Sequence, residues 1–302
     1  MNRNGQDDEI EDLHFRASAG APPGAQVLTL AALLSRARGH DRDAYALVRP
    51  SFHHLIAVRA GRLDCSVDFA EHTLGAGAWL WVRPGQVLQF RSDLTAADGT
   101  VVLFQSGILD PATAKAARVD RPALRTAPLH PRGDAPQRTL DLLEDEYGRL
   151  AELPLEAHME VVRHLLSVLL LRLAHERGGH GGDERGSEPF LRFQQAVERD
   201  FTRSQRVEDY AVRLGYSVRT LTRATRAAAG CGAKHFIDER VLLEARRLLV
   251  HTDLATSAVG ERLGFPEATV FTRFFRTRTG ETPAAFRARY RDVPSGGRPD
   301  RP

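Results

Sequence analysis

The chain has 302 residues, with 42 Lys plus Arg against 39 Asp plus Glu, 42% hydrophobic and 27% charged residues. That is an ordinary globular composition for about two domains, and it excludes collagen-like, disordered and disulfide-scaffold chains. The net charge of +3 hides an asymmetry: residues 1–186 hold 21 basic and 25 acidic side chains (−4), and residues 187–302 hold 21 and 14 (+7), which points to nucleic acid as the partner of the second half.

Residues 1–24 are polar and acidic (Asp7, Asp8, Glu9, Glu11, Asp12) and are expected to form a disordered tail rather than a signal peptide. Residues 25–176 form the expected first domain. Short apolar runs cut by turns predict strands at Ala44–Val48, His54–Arg59, Arg62–Phe69, Ala78–Val82, Val87–Arg91 and Thr100–Gln105. This spacing suggests a β-barrel or sandwich. Helices are expected at Pro136–Leu150 and Leu155–Glu176. The second of these carries the most apolar stretch, Val161 to Leu173, which is interrupted by Arg163, His164, Ser167 and Arg172 and is too short for the ~20 residues of a membrane span. It is apolar almost all round, so one face is expected on its own barrel and another, through Val161, Leu165, Val168 and Leu169, against a second copy of the chain. Burial entirely within one chain is the alternative.

The segment 177–189 (RGGHGGDERGSEP) is the expected flexible linker. Residues 190–291 read as almost wholly helical, and 292–302 as a disordered tail. Cys65 and Cys231 fall in different domains and suggest no disulfide, which fits a reducing, cytoplasmic location.

The helical domain repeats itself. Thr222-Arg223 with Arg226 and Gly230 recurs 50 residues later as Thr272-Arg273 with Arg276 and Gly280, and Leu214-Gly215-Tyr216 recurs as Leu263-Gly264-Phe265. Each copy predicts a helix–turn–helix whose second helix is closed by glycine. Ser217 is the expected N-cap of one such helix, and Pro266 the expected first residue of the other. Arg219, Thr222, Arg223 and Arg226 fall on one helical face, as do Thr269, Thr272, Arg273 and Arg276. The opposite faces hold Val218, Leu221, Ala224 and Thr225, and Val270, Phe271, Phe274 and Phe275. An apolar back with an Arg/Thr front can bury one side and offer the other to a DNA major groove. Only Lys115 and Lys234 are lysines, so the positive charge is nearly all arginine, which suits bidentate recognition of phosphate and guanine. A genome preference for Arg codons accounts for most of that excess. A single helix over about Lys234–Val250 is expected to join the two units.

These residues, with Leu221, Phe286, Arg287 and the Thr282-Pro283 pair, resemble AraC/XylS-type transcriptional regulators over about Phe190–Arg291. The resemblance implies a DNA-binding domain with two helix–turn–helix units. It implies that Ser217, Arg219, Thr222, Arg223, Ala268, Thr269, Thr272 and Arg273 face bases or phosphates, with Arg226 and Arg276 toward phosphates. Ala268 and Thr269 are small for base readout, and Cys231-Gly232 departs from the usual turn.

Phe52-His53-His54-Leu55, Val67-Asp68-Phe69, Leu80-Trp81-Val82 and Pro84-Gly85-Gln86-Val87 resemble the cupin-like sensor half of the same family. The implied fold class is α+β: a cupin-like barrel with following helices, then an all-α DNA-binding domain. His54, Arg62, Trp79, Trp81 and Gln89 are the candidate lining of a pocket for a small-molecule effector, although core packing is the competing role for both tryptophans. His53 and His54 are adjacent and point to opposite faces, and Leu88 or Gln89 stands where a metal-binding cupin has its later His. No metal, cofactor or catalytic group is therefore expected. The implied partners are double-stranded DNA, an effector, a second copy of the chain and RNA polymerase. The alternatives are a constitutive DNA binder with an empty barrel and a cupin enzyme fused to a helical domain.

Overall fold

The computed structural model describes residues 11–17, 22–119, 126–149, 153–178 and 188–291. The expected tail 292–302, residues 1–10 and 18–21 of the expected N-terminal tail, and 179–187 of the expected linker lie outside the described residues. The chain divides into two compact units, within 10–181 and 182–302.

The first unit opens with β1 (Glu11–Leu13), β2 (Ala25–Thr29), α1 (Leu30–Gly39) and β3 (Val48–Pro50). β1 falls inside the stretch expected to be a tail. It pairs in parallel with β3 and is held by ion pairs from Glu11 to Arg42 (2.8 Å) and from Asp12 to Arg49 (2.7 Å). Three acidic-rich residues carry no strand periodicity, so tertiary partners decide their state. The helix α1 was also absent from the strand pattern. Its N-cap, Thr29, accepts from the Ala32 amide at 3.0 Å.

There follow β4 (His53–Gly61), β5 (Leu63–Val67), β6 (Ala70–Leu74), β7 (Trp79–Val82), β8 (Leu88–Phe90) and β9 (Ala97–Phe104). The single strand expected over Arg62–Phe69 is part of a hairpin: Asp68 and Phe69 take φ of 49° and 67°, turning β5 back into β6. Left-handed backbone favours Gly or Asn, so a Phe there hides the turn from a sequence reading. Asp68 braces it, its carboxylate accepting from Gln86 Nε2 (2.7 Å) and the Val87 amide (3.1 Å).

The strand-rich domain expected from the sequence is present. Its strands lie in two sheets, ordered β1-β3-β8-β5-β6 and β2-β9-β4-β7, and pairing among the described residues does not link them into one ring. Ile56, Leu80 and Val101 of the four-stranded sheet meet Leu63, Val67 and Leu88 of the other in a shared core. The outer face of the four-stranded sheet is also covered. Leu55, Trp79, Trp81 and Phe104 pack with residues of α2 (Pro111–Ala116), α3 (Ala135–Gly148) and α4 (Leu155–Gly178). With both faces dry, β7 is a continuous buried Trp-Leu-Trp-Val run.

The second unit is helical: α5 (Glu188–Asp200), α6 (Val207–Leu214), α7 (Val218–Ala229), α8 (Ala233–His251), α9 (Thr256–Arg262), α10 (Ala268–Thr279) and α11 (Pro283–Arg291). α8 is the expected joining helix, and its 19 residues rise about 28 Å. Phe193, Tyr210, Leu221 and Phe236 fill the core around the first helix pair, and Leu249, Val259, Phe271 and Phe286 that around the second. Each has about 1.5–3 kcal/mol of transfer free energy behind its burial.

Candidate nucleic-acid interface

α6–α7 and α9–α10 are two equivalent helix–turn–helix units. Gly215 (φ 71°) ends α6, and Gly264 (φ 81°) follows α9. Ser217 caps α7, its hydroxyl accepting from the Thr220 amide at 3.0 Å. Gly230 and Gly280 close α7 and α10 in left-handed backbone. Pro266 is not the first residue of α10. That helix starts at Ala268 with Glu267 as its N-cap, so the proline lies one residue further out. Gly232 becomes the N-cap of α8, two residues past Gly230, just as Thr282 caps α11 two residues past Gly280. The Cys231-Gly232 departure thus leaves the two turns alike in length.

In both second helices, the positions one turn apart that carry Leu221 and Thr225, or Phe271 and Phe275, are buried. Thr225 is tolerated in the core because its hydroxyl donates to the Leu221 carbonyl at 2.7 Å. Val218 and Val270 differ from the expected apolar back: both are exposed, at 38% and 44%.

Arginine pairing separates structural from available charge. Arg199 and Arg213 hold Asp200, which is 3% exposed; Arg240 holds Glu198 and Glu244; Arg278 holds Asp238; Arg289 holds Glu281. The hydrogen bond from Arg199 is the main cause that keeps the Asp200 carboxyl below the usual range. Arg219, Arg223, Arg226, Arg273 and Arg276 are all exposed and have no hydrogen-bond or ion-pair partner among the described residues. Unpaired cations gathered on two equivalent helix faces attract phosphate and can reach base edges. Thr222 and Thr272 lie half-buried beside them, and Ala268 and Thr269 are exposed at the start of α10.

The two units are locked together. The Thr202 carbonyl lies so close to Gly264 that a Cβ there would sit 2.0 Å from its oxygen. Gln205 Nε2 donates to the Leu263 carbonyl (3.1 Å), Lys234 Nζ to the Gln205 carbonyl (3.0 Å), and buried Asp238 accepts from both Lys234 (2.6 Å) and Arg278. These bonds tie α10 to α8, and the turn after α9 to the segment between α5 and α6.

Two family models match the chain: a helix-turn-helix domain over residues 210–289, and an AraC-like ligand binding domain over residues 31–173. The probable transcription factor PqrA of Proteus vulgaris is 32% identical over 82 residues, 27% of this chain and 67% of its own. The chain belongs to the AraC family of transcriptional regulators. The HTH-type transcriptional activator RhaS of Salmonella schwarzengrund is 26% identical over 150 residues, so the match spans about half of each AraC-family chain (50% and 52%). A crystal structure of ToxT from Vibrio cholerae, bound to an unsaturated fatty acid, aligns with 91% of this chain and 97% of its own at 11% identity and a TM-score of 0.42.

The five candidate effector residues do not converge. Trp79 and Trp81 sit in the core between the four-stranded sheet and α2–α4, where the strand alternation sends them together. The Trp81 indole donates to His53 Nδ1 at 3.2 Å. Arg62 is a surface residue bound to Asp64 at 3.0 Å, and Gln89 Nε2 donates to the Tyr45 carbonyl at 3.1 Å. Only His54 lines the cavity of this AraC-family sensor unit, of about 180 Å³. Phe15, Arg16 and Arg36, which also line it, escaped the sequence reading because they lie in the stretch expected to be a tail or in the missed helix α1. Among the described residues, no group of His, Cys, Asp or Glu could hold a metal ion, and no helix is long and apolar enough to cross a membrane.

On α4 the four candidate dimer residues part company. Leu169 is fully buried in its own unit, Leu165 packs against the same core, Val161 is half-buried, and Val168 is 41% exposed. Leu169 is thus an internal residue. Leu171, 39% exposed, lies beside Val168.

Proposed function

We propose that this chain is a sequence-specific DNA-binding transcriptional regulator controlled by a small molecule bound in its first unit. α7 and α10 read two successive major-groove segments. Ser217, Arg219, Thr222 and Arg223 act on one segment, and Ala268, Thr269, Thr272 and Arg273 on the other, with Arg226 and Arg276 on phosphates. The observation that carries this reading is the set of five unpaired, exposed arginines on two equivalent helices, in a unit whose other acidic and basic groups are largely tied to each other. Only differential affinity for two states of the protein lets an effector change DNA occupancy. The regulator acts in the cytoplasm and meets RNA polymerase at the promoter.

Arg273→Ala is expected to weaken specific DNA binding by about 1–3 kcal/mol and to relax preference at one position. Competition between selected and random DNA measures it. Equal weakening on both would make Arg273 a phosphate contact and remove α10 as a base reader.

The same reading includes a homodimer formed through α4, supported by the exposed Val168 and Leu171 on one helical face. Replacing both by Asp is expected to give monomers in sedimentation velocity with an unchanged helical circular dichroism signal. Retention of the dimer would put the interface elsewhere. Leu169→Asp is expected instead to unfold the unit, because it places a charge in a dry core.

A further inference from the structure

The two reading helices differ at their tips. At the 50-residue offset of the repeat, Ala268, Thr269 and Val270 of α10 stand where Val218, Arg219 and Thr220 stand in α7. Each Cα–Cβ bond tilts toward the helix N-terminus, so first-turn side chains lead, and a helix entering a major groove meets base edges with them. α7 leads with the exposed guanidinium of Arg219. α10 leads with Ala268, Thr269 and Val270, all exposed and all uncharged.

The one polar group among these three is engaged. The Thr269 hydroxyl donates to the Glu267 carboxylate at 3.2 Å, which leaves the Thr269 methyl group free for a base. Val270 is not used by the core: Phe271 and Phe275 are fully buried, whereas Val270 is 44% exposed. It stands three residues before Arg273, so the two are neighbours on the helix surface. α7 also exposes an apolar residue at its tip, Val218 at 38%, but beside a guanidinium rather than beside two further methyl-bearing side chains. In the major groove thymine alone among the bases offers a methyl group, and apolar side chains recognise it by contact.

We propose that Val270 is a specificity-determining residue: together with Ala268 and the Thr269 methyl group it reads thymine methyl groups in the segment that α10 enters, whereas α7 reads its segment mainly through arginine. The inference rests on the two-segment reading above.

Binding of the full chain to its selected motif tests this, with thymine replaced by uracil one block at a time. The replacement removes a methyl group and keeps every hydrogen-bonding group. In the block that Arg273→Ala relaxes, each replaced thymine that meets α10 is expected to weaken binding about fourfold, the transfer free energy of one buried carbon. In the block that Arg223→Ala relaxes, the loss is expected to stay below about twofold. Val270→Ala puts a better helix former at an exposed position, so the fold is expected to survive, which circular dichroism checks. That variant is expected to lose the thymine–uracil difference at one position. An α10 block that lacks thymine or tolerates uracil, equal losses in both blocks, or a Val270→Ala chain that discriminates as before overturns the proposal and leaves two-segment reading intact. The absence of any selected motif overturns both.

Discussion

Gly264→Ala is expected to destabilise the second unit by about 2–5 kcal/mol. Two costs add. A non-glycine residue at φ 81° pays about 1–2 kcal/mol of backbone strain. The new methyl group would also lie 2.0 Å from the Thr202 carbonyl oxygen, an overlap with backbone that forces a shift costing about 1–3 kcal/mol. Gly215 is the control. It occupies the equivalent turn at φ 71° with nothing within 4 Å of its Cβ position, so Gly215→Ala pays the strain alone. Denaturant unfolding separates the units: Trp79 and Trp81 are the only tryptophans and lie in the first unit, whereas the helical far-UV signal includes the second. The expected result is a lowered midpoint in the far-UV signal with the tryptophan midpoint unchanged. Equal effects of the two glycine variants would show that the Thr202 contact does not constrain the turn. Because that contact holds the turn before α10 against the segment that precedes α6, Gly264→Ala is expected to weaken two-segment DNA binding more than one-segment binding.

Acid is expected to loosen the first unit well before its carboxylates titrate. Burial lowers the His53 pKa to about 3, with Arg83 adding to the effect, and lowers His54 to about 4. In the unfolded chain both sit near the ordinary value of about 6.5. The folded state therefore refuses protons that the unfolded state accepts. The stability contributed by neutral histidines is complete above about pH 6.5 and falls as pH drops toward their folded values. Between about pH 7.5 and pH 5 the loss is about 2 kcal/mol for each histidine, or about 4 kcal/mol for the pair. Urea unfolding followed by tryptophan fluorescence reads it directly, since Trp81 donates to His53. His54→Gln is expected to halve the slope. A flat unfolding free energy over this range would mean that the two rings are not held neutral in the folded chain.

Much of the helical unit was legible in the sequence because its signals are local. Gly215, Gly230 and Gly280 mark helix ends that require positive φ, and all three do so. The 50-residue repeat aligns Leu221 with Phe271 and Arg223 with Arg273, and the fold buries the first pair and exposes the second. Less visible were features fixed by distant partners. β1 exists through β3, Arg42 and Arg49, and Asp68-Phe69 turns without a glycine because Gln86 and Val87 hold the aspartate. The lining of the cavity was hidden for the same reason. Strand alternation correctly put Trp79 and Trp81 on one face, but only the layer of α2–α4 reveals that this face is a core. The cavity lies between the sheets on the other side of that strand layer, lined in part by Phe15 and Arg16, residues with no regular pattern of their own.

Two arginine faces are expected to read DNA as a pair. The most direct test selects bound fragments from genomic DNA with purified full-length chain, Arg223→Ala and Arg273→Ala, each at two salt concentrations. The expected result is a motif of two short blocks about one helical turn apart, with each variant relaxing a different block. A steep salt dependence without any motif, weakened uniformly by both variants, would make the arginines phosphate anchors alone and contradict sequence-specific reading.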